Sequence, residues 1–292
     1  MANMSKLELL DRLGFERDPF KAVNYKTGDS SRIHRIVSMA VKARAMVLIV
    51  GERGSGKSKA LIDALKKLRV RQVVVRSLDK FRLLISGIER AMILDLSDEK
   101  PKRSGEIRAR QLRRILGEAS RKHEVVLVIE ESHRLHGMTL RALKGLRELD
   151  WMGETELFTV VLLGQSDPMN KSGMAEVKLR TDTIYMQGLT HDEIERYIRG
   201  TVGKVFSNEA INAVKSLPEA RNFLNLQNIL VSLMGRALAD GREKVLPDDV
   251  KDEFGAEQTD TSKQADIHNI KVTKEEDDQK GSPALKAVLD LY

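Results

Sequence analysis

The sequence predicts an α/β fold, a parallel sheet flanked by helices and followed by a small helical domain. Short apolar, β-branched runs recur at 46–51, 72–76, 125–129 and 158–163, separated by stretches with helical spacing. Strands joined by crossover helices alternate in this way, because the helices cover both faces of a parallel sheet. From His191 the strand-like runs stop, and amphipathic segments follow at 191–202, 207–217, 221–240 and 247–254, with turns marked by Ser207, Pro218, Gly241 and Pro247.

The elements follow in order. Residues 4–45 read as helices and loop: Leu7, Leu9, Leu10 and Leu13 share one helical face, Pro19 breaks the run, and a second amphipathic stretch covers 31–42. The expected divisions are an N-terminal helical segment at 1–45, the α/β domain at 46–190 and the helical domain at 191–255. Beyond them, 256–282 loses hydrophobic periodicity and reads as a flexible tail. The last residues, 283–292, place Leu285, Val288, Leu289 and Tyr292 on one helical face, either a C-terminal helix on its own domain or a docking peptide.

The first strand runs into GERGSGKS at 51–58 and then into a helical stretch at 59–68. Glycines there let successive backbone N–H groups approach phosphate oxygens, Lys57 reaches the β and γ phosphates, and the Ser58 hydroxyl suits a magnesium shell. The expected nucleotide contacts are Gly51, Glu52, Arg53, Gly54, Ser55, Gly56, Lys57, Ser58 and Lys59, with ATP and Mg2+ as the ligands. A neighbouring strand must then supply one carboxylate for the metal and one to polarise the attacking water. VVLVIEE at 125–131 has both, so Glu130 is assigned to magnesium alongside Ser58, and Glu131 to water. The run at 159–163 ends in GQSD, which puts Gln165 where a γ-phosphate sensor or a plain turn residue would sit. Arg180 is placed to reach a neighbouring subunit's nucleotide and Arg221 to touch that of its own chain, although a surface ion pair explains any one arginine among 50 Lys and Arg.

A chain of 292 residues buries a sizeable core without disulfides, and it has no cysteine to make them. A net charge of +7 fits a polyanionic partner or a soluble protein that is simply basic. Basic residues concentrate at 76–82 and at 100–123, where Ile107, Leu112, Ile115 and Leu116 predict a buried helical stripe beneath a positive outer face. Such a face binds DNA phosphates by releasing counterions, and Lys102 and Arg103 belong to it. The charged N-terminus lacks a signal-peptide core, and no apolar stretch is long enough to span a bilayer, so a cytoplasmic protein without membrane contact is expected.

These motifs resemble AAA+ ATPases of the group that includes the phage Mu B transposition protein, the TnsC regulators and the secretion ATPase ExeA. The resemblance covers roughly residues 10–245, through GFERDPF, the glycine loop, VVLVIEESHRL, LLGQSDP and GLTHDEIERYI. It implies a P-loop AAA+ sheet with a helical lid, nucleotide at a subunit interface, and ATP-dependent rings or filaments of the chain on double-stranded DNA. It also implies recruitment of a transposase that stimulates hydrolysis, a bacterial or phage-encoded setting, and DNA contacts at Lys80 and Arg82. Glu130 departs from the group's usual Asp. An ExeA-like secretion ATPase is the alternative, but its expected membrane span and peptidoglycan-binding part are not seen in these residues. A nucleotide-stabilised adaptor acting through its C-terminal peptide is a third reading.

Overall fold

The computed structural model describes residues 4–22, 25–76 and 83–254. The expectations for Lys80, Arg82, the tail at 256–282 and the peptide at 283–292 lie outside the described residues. In chain order the elements are α1 (Lys6–Arg12), α2 (Pro19–Ala22), α3 (Gly28–Lys42), β1 (Met46–Val50), α4 (Lys57–Leu68), β2 (Arg71–Arg76), α5 (Ile85–Leu96) and α6 (Gly105–Ser120). Then come β3 (Val125–Glu130), α7 (Gly137–Arg147), β4 (Thr159–Gly164), α8 (Ala175–Lys178), β5 (Thr181–Tyr185), α9 (His191–Thr201), α10 (Asn208–Lys215), α11 (Phe223–Ala239) and α12 (Pro247–Phe254). The chain divides into two compact units, one of Val23–Tyr197 with Pro218–Asn228, the other drawing its described residues from 4–22, 198–217 and 229–254.

The larger unit is built on a five-stranded parallel sheet of order β2-β3-β4-β1-β5. Its inner strands β3, β4 and β1 are buried along nearly their whole length because helices cover both faces. Val47, Ile49, Val126, Val128, Val161 and Leu163 pack with Ile33 and Val37 of α3 and Leu61 and Leu65 of α4. Their alternate neighbours, Leu48, Leu127, Ile129 and Leu162 among them, face Ile88 and Met92 of α5, Leu112 and Leu116 of α6, and Leu140 and Leu143 of α7. Successive strand side chains point to opposite faces, so one short apolar run serves two cores. The fifth strand, β5, was not among the predicted runs. Its sequence is TDTIY, and only Ile184 is buried, so an edge position explains its weak apolar signal.

Helix α3 starts in a reciprocal cap: Thr27 Oγ1 accepts the Ser30 N–H at 3.0 Å and Ser30 Oγ accepts the Thr27 N–H at 2.9 Å. Such a cap contributes about 1 kcal/mol. The next residue but one, Asp29, is buried and accepts the N–H groups of Gln187 (2.9 Å) and Gly188 (3.0 Å), while Glu193 Oε1 accepts the Gly28 N–H at 2.7 Å. Two buried carboxylates thus fix the segment between β5 and α9.

In the other unit, Leu9 and Leu10 of α1 are buried, but Leu7, expected on the same face, is 72% exposed. Pro19 opens α2 instead of only ending α1, because Asp18 Oδ1 accepts the Phe20 N–H at 3.0 Å and proline fits a first helical position. Lys204 Nζ donates to the Gly14 carbonyl at 3.0 Å and lies 4.0 Å from the Phe15 ring centre. α12 opens where Asp249 accepts the Leu246 N–H at 2.8 Å and pairs with Arg242 at 2.6 Å. Among the described residues no helix is long and apolar enough to cross a membrane.

Candidate functional site

The C-terminal edge of the sheet gathers the loops that follow β1, β3 and β4. After β1, Gly51 donates its N–H to Gly164 at the end of β4 (3.1 Å), which ties the glycine loop to the neighbouring strand end. The loop turns through Gly54 (φ 84°) and Gly56 (φ 86°), the residue preceding α4. Both angles are ones that side-chain-bearing residues adopt only with strain. A Cβ on Gly54 would also lie 2.3 Å from Leu224 Cβ, and one on Gly56 would lie 3.3 Å from the Phe223 ring. Asn222, just before α11, donates from Nδ2 to the Arg53 carbonyl (3.0 Å), so these three residues press directly on the loop. Gly54→Ala is therefore expected to cost about 1–3 kcal/mol in strain and displaced packing, and to weaken ATP binding at least tenfold. Thermal unfolding and nucleotide titration of the variant check both.

Lys57, the first residue of α4, is buried, and its Nζ donates to the Glu52 carbonyl at 3.0 Å. Burial holds its ammonium below the usual lysine range, and the Glu131 carboxylate pulls the other way. Ser58 follows on the exposed side, and the buried Ser55 hydroxyl has no hydrogen-bond partner. A loop with no room for Cβ atoms, an unpartnered hydroxyl and a lysine bonded to the loop's own carbonyl fit a polyphosphate chain. Magnesium needs few protein oxygens when phosphates and waters complete its shell. Ser58 and Glu130 are suitable donors, and no cluster of three or more His, Asp or Glu fit to hold a metal exists among the described residues.

Glu130 ends β3, and Glu131 follows in a left-handed conformation (φ 53°, ψ 36°). Its Oε2 lies 3.5 Å from Gln165 Nε2, 3.6 Å from His133 Nε2 and 3.6 Å from Arg134 Nε. The Gln165 backbone N–H donates to His133 Nδ1 at 3.3 Å, which leaves Nε2 carrying the ring proton and facing Glu131. Burial pushes His133 below the ordinary histidine range; Glu131 opposes this, while Arg134, Lys57 and Lys171 add to it. Gly164 allows the close fit, since a Cβ there would sit 3.0 Å from Ser132 Oγ. His133, which VVLVIEESHRL contains without an assigned role, and Asn222, which no motif includes, belong to the candidate site. For His133 the one signal is its place two residues beyond Glu131, where a short turn folds it back.

The remaining assigned residues are distributed differently. Arg221 donates to the carbonyls of Gln187 (3.0 Å) and Leu189 (3.4 Å), so it holds the segment fixed by Asp29 and adjoins Asn222 at the loop. Glu52, Arg53 and Lys59 side chains are exposed at the loop and the start of α4. Arg180 is not brought to this edge. It precedes β5, whose first residue pairs with Met46 at the start of β1, so it lies one strand length, roughly 16 Å, from the glycine loop. There it pairs with Glu148 beside a cavity of about 350 Å³ that Lys144, Arg147 and Glu156 also line.

Helix α6 corrects two expectations. Ile107 is 54% exposed, and the buried stripe runs through Arg108, Gln111, Leu112, Ile115 and Leu116. Arg108 is held by Glu89 at 2.8 Å and by the carbonyls of Lys102 and Arg103, both at 3.2 Å. The outer face is of mixed sign, because Arg110 pairs with Glu106, Arg113 with Asp150, and Arg114 with Glu99 and Glu118. Exposed pairs of this kind contribute at most about 1 kcal/mol each to stability, but they cancel the field a positive face would project. Lys102 and Arg103 are in the loop before it, and both are exposed.

Residues 40–170 match the AAA_22 family, described as an AAA domain. A search of curated protein sequences finds no match. Among solved structures, the chain is similar to Cdc6p from Pyrobaculum aerophilum, with 16% identity, a TM-score of 0.60, and coverage of 81% of this chain and 70% of that one. It is similar to the ORC2 protein of Aeropyrum pernix in its ADPNP-ADP complexes, at 13% identity and a TM-score of 0.59, over 81% and 70% of the two chains. It is similar to the Aeropyrum pernix ORC1 protein in complex with DNA, at 14% identity and a TM-score of 0.51, over 85% and 68%. The chain thus has the AAA+ P-loop fold, with its matched AAA domain spanning residues 40–170.

Proposed function

We propose that this protein is a magnesium-dependent ATPase that binds double-stranded DNA without strong sequence preference when ATP is bound, assembles there with further copies of itself, and recruits or activates a transposase. The observation that carries the nucleotide part is the convergence of the glycine loop, Lys57, Glu131 and Gln165 at one sheet edge. Lys57 and the loop N–H groups would hold the phosphates, Ser58 and Glu130 would hold magnesium, and the metal would neutralise phosphate charge. Glu131 is the group that accepts a proton from, or orients, the attacking water. His133 and Gln165 position it, since both place N–H groups toward Oε2.

For the rest, support comes from the net charge of +7, the DNA complex of the similar ORC1 protein, and the resemblance of GFERDPF, LLGQSDP and GLTHDEIERYI to transposition ATPases. Arg180 is the candidate to serve an adjacent copy's nucleotide, because it is half-exposed and remote from the loop of its own chain. The extra methylene of Glu130 moves its carboxylate outward relative to Asp, so slow hydrolysis is expected, and Glu130→Asp should speed single-turnover hydrolysis. An unchanged or slower rate removes that explanation. The reading as a whole is tested by ATP hydrolysis of the full chain with and without duplex DNA. Turnover that requires magnesium and rises with DNA supports it, and no turnover under either condition overturns it.

A further inference from the structure

The arginines of α6 face acids, and a second cationic surface lies beside the candidate site. The loops after β3 and β4 enclose a cavity of about 410 Å³ lined by Arg134, His136, Arg141, Lys171 and Ser172, with no aspartate or glutamate in its wall among the described residues. Its floor is the buried pair Leu135 and Met174. The donors converge from different segments. Arg141 is on the first turns of α7 and gives one N–H to the Gly173 carbonyl at 3.4 Å, out of the five a guanidinium offers. His136 Nδ1 accepts the Met138 N–H at 3.2 Å, which leaves its other ring nitrogen as a donor. Arginine forks with a nearby lysine suit the oxygens of a phosphate group.

The cavity shares a residue with the hydrolysis site. Arg134 lines it, and Arg134 Nε is 3.6 Å from Glu131 Oε2. Lys171 lines it as well, and its charge is felt at His133, which faces the same carboxylate. A second negative charge in the cavity would compete with Glu131 for Arg134, because the pair is long, half-exposed and weakly held.

We propose that this cavity takes a backbone phosphate of duplex DNA, and that Arg134, drawn toward that phosphate, releases Glu131 to act on water. DNA then stimulates hydrolysis through one arginine. The inference rests on the DNA-dependent ATPase reading given above.

The test uses the full chain with ATP and a fluorescent duplex over a salt series, comparing wild type with Arg141→Ala/Lys171→Ala. Without these two cations, binding should weaken roughly tenfold, and the salt slope should fall by about 1 for each phosphate no longer neutralised. Lys171→Ala alone, at an exposed loop position, gives half of the effect if the double variant does not fold. Arg134→Ala should raise hydrolysis without DNA several-fold and remove most of the stimulation by DNA, and Arg134→Lys should restore part of it. Unchanged affinity and slope in a folded double variant, with wild type still binding DNA, overturn the cavity while leaving the ATPase reading intact. So does a cavity that responds only to inorganic phosphate. Normal stimulation in Arg134→Ala overturns the coupling. If wild type itself binds no DNA with ATP, both the cavity and the wider reading fall.

Discussion

Replacing Glu131 with Gln is expected to lower ATP hydrolysis by roughly 10²–10⁴-fold, the range for removal of a positioned general base, while ATP binding persists. The amide keeps the size and the left-handed backbone of Glu131 and can still bond to Gln165, so little else changes. Its neutral oxygen, however, cannot take a proton from water. The same substitution removes a negative charge whose field reaches Lys57, and a like charge near a polyphosphate opposes its binding. ATP affinity should hold or rise, and the variant should stay in its ATP-bound form. Single-turnover hydrolysis and equilibrium binding of a fluorescent ATP analogue separate the two effects. Hydrolysis within tenfold of wild type would show that Glu131 is not the base.

Lys57→Ala is expected to act at the earlier step. The residue is 9% exposed, and burial already disfavours its charge. Phosphates would relieve that penalty, so the lysine belongs with a bound anion. Removing a buried charge-assisted hydrogen bond costs about 2–3 kcal/mol, or roughly 30–150-fold in ATP affinity. At ATP about 100 times the dissociation constant, wild type gains about 2.7 kcal/mol, a rise of roughly 5–10 °C in melting temperature for a chain of this size. At the same ATP concentration the variant should keep only about 0.3–0.9 kcal/mol of that stabilisation, roughly a tenth to a third of the rise. Without nucleotide it should melt at the same temperature or higher, since a desolvated ammonium has been removed. A lower melting temperature would assign the lysine a structural role.

Much of this arrangement is legible in the sequence, and the exceptions have physical causes. The runs at 46–51, 125–129 and 158–163 announce strands because both of their faces are buried. The edge strand β5 has one covered residue and carries no such signal. The helical segments after His191 are readable to within a few residues, since each buries one stripe and starts or stops at a polar or proline turn. The glycine loop is legible because its backbone angles demand glycine at Gly54 and Gly56. What presses on it is not legible, because Asn222 and Leu224 come from a distant part of the chain. Charge was the least informative property. A run of arginines in α6 has the same composition whether it projects a field or is matched by Glu89, Glu99, Glu106, Glu118 and Asp150, and only the fold decides. The basic cavity at Arg134, Arg141 and Lys171 is spread over nearly 40 positions and forms no run at all.

The central claim is that ATP occupancy controls association with DNA. The direct measurement is duplex DNA binding by the full chain with ATP, with ADP and in Lys57→Ala, each over a salt series. The account predicts tight binding with ATP that weakens steeply with salt, and much weaker binding with ADP and in the variant. Equal binding under all three conditions, or none with ATP, would contradict it.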